Sequence, residues 1–425
     1  MSFLLWLLAC GEETNPTAKT AQIDPPVQAV PTVKPVDPPM PVQEPLTGEP
    51  RPGILVVQAW FWKNEKNKSK PGPARMDIWR QSADGWSRTR VEDADSNVFH
   101  KAIPWENGIL TIGAEKAVLK FWNHSDGKWT ATPLWTRSWG GKFDRLRDIE
   151  VGDVDGDGQD EWIVATHDAG VVAVIEPPAV ADLGAALSPE RITELDQKAD
   201  TFVHEIELGD VDGDGKLEFF ATPSDRNQSK KSQPGKIVMY SWDGTSYQRS
   251  IVDSLSKTHA KEILVANVDG DPEAEVFGVI EAERLGKVIT QPVQIRQYTQ
   301  TKEGFESKVV AELDDEQCRF LVPGDFDQDG VTELVAAGYK SGLWLLEPQA
   351  DGTYSPSLID ADSNGYEHST YGADLNGDGK LELYVAADKQ RTLNQYTWNG
   401  KSFDKQKIGD VSESTFTWNI VSGQF

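Results

Sequence analysis

The 425-residue sequence predicts an all-β fold, a seven-bladed β-propeller of four-stranded antiparallel blades. Three observations carry that prediction. One nine-residue acidic loop recurs five times between residues 153 and 382, and a repeat of about 50 residues is a propeller or solenoid period. Apolar runs of strand length flank each loop, with Asp-Gly or Asn-Gly pairs placed where two-residue hairpins need φ > 0. The chain ends carry complementary parts of one blade, whose union closes the ring and leaves no open edge.

The chain divides into three parts. Residues 1–10 form an apolar run too short to span a bilayer, which takes about 20 residues. Its end, Leu7, Leu8, Ala9 and Cys10, resembles the lipobox of a bacterial lipoprotein, with Cys10 as the lipidated first residue of the mature chain. No Lys or Arg precedes the run, a departure from secretory signals. Residues 11–52 are rich in Pro and poor in aromatics, and such composition predicts a disordered tether. The tether is expected to enter the domain at Gly53, on the face of the acidic loops.

Residues 53–425 are the propeller. Each unit starts with an alternating strand (149–151, 206–208, 263–265) that leads into the acidic loop. A short apolar strand follows (162–165, 334–337), then a third (171–175, 343–346), a tight turn and a fourth. The turns are Asp84-Gly85, Asp126-Gly127, Asp243-Gly244, Asp351-Gly352 and Asn399-Gly400. A sixth unit, 99–135, keeps the strands but lacks the loop. The seventh is split: 418–425 reads as an inner strand and 53–57 as the strand after it.

The loops carry the chemistry. Side-chain oxygens at positions 1, 3 and 5, a backbone carbonyl at 7 and a carboxylate at 9 wrap a hard cation, and calcium takes six to eight oxygens. The candidate ligands are Asp153, Asp155, Asp157, Gln159 and Glu161; Asp210, Asp212, Asp214, Lys216 and Glu218; Asn267, Asp269, Asp271, Glu273 and Glu275. The remaining two sets are Asp325, Asp327, Asp329, Val331 and Glu333, and Asp374, Asn376, Asp378, Lys380 and Glu382. Gln159, Lys216, Glu273, Val331 and Lys380 would act through their carbonyls. Four to five calcium ions are expected.

This loop, preceded by an apolar strand ending near Gly (Val151, Gly152, Asp153; Leu208, Gly209, Asp210), resembles the FG-GAP/VCBS repeat of integrin α-subunit propellers and bacterial surface proteins. The resemblance covers 53–425, with clear motifs in five of seven units, and implies the fold and calcium binding. Two departures stand out. Every copy closes with Glu where the family has Asp, and the third loop has Pro272 where Gly is expected, so that loop must bend differently.

A net charge of −26 argues against nucleic-acid binding, which needs a basic footprint, and suits a calcium-replete compartment. With Cys10 lipidated, Cys318 has no partner and is expected to be a small buried residue. The 15 Trp are expected to pack mostly between blades.

The loops between second and third strands emerge on the face opposite the acidic loops. Three are long and carry Lys63, Lys66, Lys68, Lys70, Arg226, Lys230, Lys231, Arg284 and Lys287. Arg147, His204, Lys261, Arg319 and His368 share one repeat position near the start of the inner strands on that face, and they are the ligand-face candidates. A lipid-anchored propeller of the bacterial envelope, in the outer membrane, is the expected setting. It would act as a monomeric, non-catalytic binding, scaffold or adhesion module for an envelope glycan or protein, the glycan anionic. The alternative is a lyase-like enzyme on acidic polysaccharide, with Lys261, Arg319, His204 or His368 as base or charge neutraliser.

Overall fold

The computed structural model describes residues 39–113, 116–141, 143–197, 201–226, 232–411 and 414–425. Cys10 and most of the expected tether lie outside the described residues.

Seven antiparallel sheets form the blades, and within each the strands follow one another from the axis outward. We number blades by their inner strands: Phe99–Trp105, Leu146–Gly152, Thr201–Gly209, Ala260–Ala266, Cys318–Gly324, His368–Ala373 and Thr415–Gln424. In blade 7 the inner strand Thr415–Gln424 pairs with Pro52–Lys63, from Pro52↔Gln424 to Trp60↔Thr415. Ala74–Ser82 and Gly85–Asp93 complete it, so the expected closure by both chain ends is the one observed.

The core lies between adjacent sheets. Leu110 and Leu119 of blade 1 pack against Ile149, Trp162, Val164 and Ala173 of blade 2, and Trp105 meets the fully buried Trp162 edge-on at 5.0 Å. Cys318 is free and buried. The last seam is tight. A side chain at Gly409, on the outer strand of blade 6, would collide with the Trp79 ring of blade 7.

One expectation is corrected. The chain does not come to the propeller at Gly53 on the acidic-loop face. Residues 42–51 already lie along the outer strand Gly85–Asp93, with Glu92 N donating to Val42 O at 2.7 Å and Glu44 N to Arg90 O at 2.8 Å. Arg51 then pairs with Phe425 at the acidic-loop face. Glu92 sits opposite Arg75, at the other end of the blade, so the described chain begins near the face opposite the loops. The physical cause is an unpaired outer edge: strand Gly85–Asp93 offers free N–H and C=O groups, and Leu46 finds apolar cover beside it.

Inner-strand pairing places the channel residues. Six of the seven inner strands skip one or two residues at the same level: His100, Arg147, His204 with Glu205, Lys261, Arg319 and Trp418. Such bulges re-aim side chains. The residues completing them, Lys101, Asp148, Glu205, Glu262, Phe320 and Asn419, all line an axial cavity of about 330 Å³. Strand His368–Ala373 pairs without a bulge.

Candidate metal loops and the axial mouth

All five acidic loops join first to second strands and lie on one face. Asp325, Asp327, Asp329 and Glu333 bring carboxylate oxygens within 4.8 Å of one another. The trios Asp153, Asp155, Glu161; Asp210, Asp212, Glu218; and Asp269, Asp271, Glu275 do the same. In the fifth loop the Asn376 amide donates to Glu382 at 3.0 Å and to Asp378 at 3.3 Å.

Each loop is held by its own carboxylates. The residue at position 5 accepts the amide of position 7, as in Asp157 with Gln159 at 2.8 Å, Asp214 with Lys216 at 2.9 Å and Asp378 with Lys380 at 3.0 Å. Asp271 takes Glu273 N and Asp329 takes Val331 N, both at 2.9 Å. The closing Glu has a reason to be longer than Asp. Glu161 Oε2 reaches back to accept Val154 N at 3.0 Å, and Glu218, Glu275 and Glu333 do the same with Val211, Val268 and Phe326.

The Pro272 loop adapts at position 1. Asp153 takes the amides of Gly156 and Gly158, and Asp210 and Asp374 do likewise. Pro272 has no N–H to offer, and Asn267 accepts only Gly270 N while its own amide donates to Asp271 O. Glu273 leans against Gly213 of the neighbouring loop.

The clusters fit a hard cation. Burial first, then the neighbouring Asp residues, push Glu161, Glu218 and Glu333 up to about 7, and Glu275 and Glu382 are raised for the same reasons. Asp325 Oδ1 is buried and meets no donor. Converging carboxylates with unmet lone pairs are the donor set of a calcium-type site.

On the opposite face the structure brings together four of the five ligand-face candidates. Lys261 Nζ donates to His204 Nδ1 at 2.9 Å, and burial, then the charge of Arg319, lower its pKa to about 7. Arg147 pairs with Glu205 of the next blade at 3.1 Å and stacks over Trp418 at 5.2 Å. Arg319 lies over the Tyr366 ring at 4.5 Å with Glu367 3.8 Å away. His368 does not join them. Without a bulge it turns toward the second strand of the preceding blade, one nitrogen on Ser363 Oγ and the other on Gly338 O, both at 2.8 Å.

Sequence reasoning missed His100, His167, His259, Glu281 and Glu367 at this mouth, and Glu150, Glu207 and Glu262 in the channel. Below the mouth, Lys101 bonds Asp148 at 2.9 Å and also Glu150. Burial first, then neighbouring acids, push Glu205 and Glu207 well above the carboxylate range. The signal was the basic–acidic pairs Arg147-Asp148, His204-Glu205 and Lys261-Glu262, which regular alternation would send to opposite faces. Two of the long loops fold into short antiparallel pairs: Ser69–Pro71 with Pro52–Lys63, and Glu283–Leu285 with Val288–Gln291. Lys230 and Lys231 lie outside the described residues.

The comparisons agree with this geometry. Residues 325–385 match the family model of the FG-GAP-like repeat. The chain is therefore a seven-bladed β-propeller carrying an FG-GAP-like repeat. No curated protein matches it. Among solved structures it is similar to a protein from Lactobacillus plantarum, at 13% identity and TM-score 0.55, over 88% of this chain and 99% of that one. It is also similar to the periplasmic gluconolactonase of Pseudomonas aeruginosa, at 13% identity and TM-score 0.54, over 87% and 99%. At such identities the likeness is one of fold alone. No helix among the described residues is long and apolar enough to cross a membrane.

Proposed function

We propose that this is a calcium-braced, lipid-anchored propeller of the bacterial envelope, in the outer membrane, that binds an anionic glycan without transforming it. The observation that carries the binding reading is the meeting of Arg147, Lys261 and Arg319 at the axial mouth of a strongly acidic protein. Cations assembled from three blades attract a polyanion that the rest of the surface repels. Calcium, four to five ions held by the acidic loops, would fix the opposite face, since a dication that binds only folded loops stabilises them. Cys10 would supply the anchor. The test is retention of the protein on immobilised polygalacturonate against a neutral polysaccharide. Salt-sensitive retention on the acidic polymer alone supports binding, and equal retention on both sinks it.

Lys261 favours a second reading, a lyase. An amine with a pKa of about 7 is poised as a general base, and Arg319 would neutralise the uronate carboxylate as the proton beside it leaves and the C4–O bond breaks. Ultraviolet absorbance from the unsaturated product during incubation with polygalacturonate distinguishes this from simple binding.

A further inference from the structure

We propose that the axial mouth seats the carboxylate of a single sugar acid, forked by Arg319, with the sugar hydroxyls donating to Glu281 and Glu367. This rests on the anionic-glycan reading and narrows it to an end group.

Arg319 is 6% exposed, yet its Nε and Nη2 make no well-formed hydrogen bond, although Tyr366 stands close enough to act on the guanidinium. Those two nitrogens form one edge of the guanidinium, the edge whose parallel N–H bonds match the two oxygens of a carboxylate. Buried donors are normally paired, so an unpaired fork marks a place shaped for an acceptor. The fork is also held in position. The Tyr366 ring lies 4.5 Å from the guanidinium carbon, and Nη1 faces Glu367 at 3.8 Å. Lys261, on the adjacent inner strand, brings its amine within electrostatic reach of Arg319.

The same cluster leaves acceptors unmet. Glu281 Oε1 and Glu367 Oε1 are buried without a hydrogen bond, Glu367 Oε1 being the oxygen 3.8 Å from Arg319 Nη1, while His259 Nε2 lies 3.6 Å from Glu281 Oε2. Free acceptors beside a free fork call for a ligand with one anionic end and several hydroxyls. Phosphate or sulfate fits less well, because a dianion would face both glutamates and bring few donors. A sugar acid brings one negative charge and neighbouring hydroxyls.

The experiment is calorimetry on the full chain with glucuronate and galacturonate, against glucose and inorganic sulfate. One uronate bound per chain, with glucose and sulfate weaker by about tenfold or more, supports the site. Arg319→Lys keeps the charge but loses the fork, and should weaken uronate by about tenfold or more in a protein that still unfolds cooperatively. Glucose or sulfate binding as tightly as the acid overturns the proposal, as does an Arg319→Lys protein that binds uronate normally or the absence of uronate binding. If Arg319→Lys does not fold, the unmodified protein decides. Uronate but not glucose must then raise its unfolding temperature. Retention on polygalacturonate without uronate binding overturns this site and leaves the glycan reading standing.

Discussion

Lys261 Nζ and His204 Nδ1 meet at 2.9 Å across two adjacent blades, and the direction of the bond is set by what lies behind the imidazole. Ser224 Oγ donates to Asp225 O at 3.0 Å, so it accepts from His204 Nε2 at 2.7 Å. His204 Nδ1 is therefore the acceptor, and burial, then Lys261, hold the ring neutral. His259, Glu281, Arg147, Arg319 and Glu367 also act on the amine.

This pair predicts a pH dependence of stability. The amine titrates near 7 in the folded chain and near its ordinary 10.5 when unfolded. Between those values the unfolded chain binds more protons, so the contribution rises with pH across the window, and its penalty is complete below 7. Lys261→Met should flatten that slope. Thermal unfolding of both proteins from pH 6 to 10 checks it, and parallel profiles refute it.

Calcium should raise the unfolding temperature and a chelator lower it. A loop saturated at 100 times its dissociation constant adds about 2.7 kcal/mol. Glu333→Gln keeps an oxygen for the Phe326 amide but removes the charge, and calorimetry should count one ion fewer. An unchanged stoichiometry would separate this loop from metal binding.

Gly409→Ala tests the last seam. The new methyl would stand about 2.2 Å from the Trp79 ring, a contact relieved by displacing that indole from the seam or by shifting one blade against another. Overpacking of this kind costs about 1–3 kcal/mol, measurable by denaturant unfolding.

A chain starting at residue 53 should be less stable than one starting at 39. It loses the cover of Leu46, the hydrogen bonds of Val42 and Glu44 along the Gly85–Asp93 edge and those of Arg51 with Phe425, about 2 kcal/mol or more. It should also associate more readily through the bared strand. Equal stability and solubility would mean the segment is not structurally needed.

Much of the metal face was legible because its chemistry is local. Asp153 and Glu161 close on each other through eight residues of chain, and Gly156 and Gly158 take φ of +78° and +88°, a conformation that glycine tolerates. Glu161, longer than the Asp of the family pattern, uses its extra length to reach Val154 N. At the mouth the local pattern is not enough. His368 occupies the repeat position of Arg319, yet one pairs regularly and the other sits in a bulge.

By itself the sequence determined seven blades, five acidic loops on one face and a ring closed by both chain ends, because turns, loop donors and strand patterns are short-range features of each repeat. The tertiary structure alone decided which side chains meet at the axis and where the N-terminal segment runs. A one-residue skip in pairing re-aims every side chain beside it, and that skip depends on the partner strand. The free edge of Gly85–Asp93 likewise drew in residues whose composition reads as a tether, since docking there satisfies backbone groups that composition cannot count.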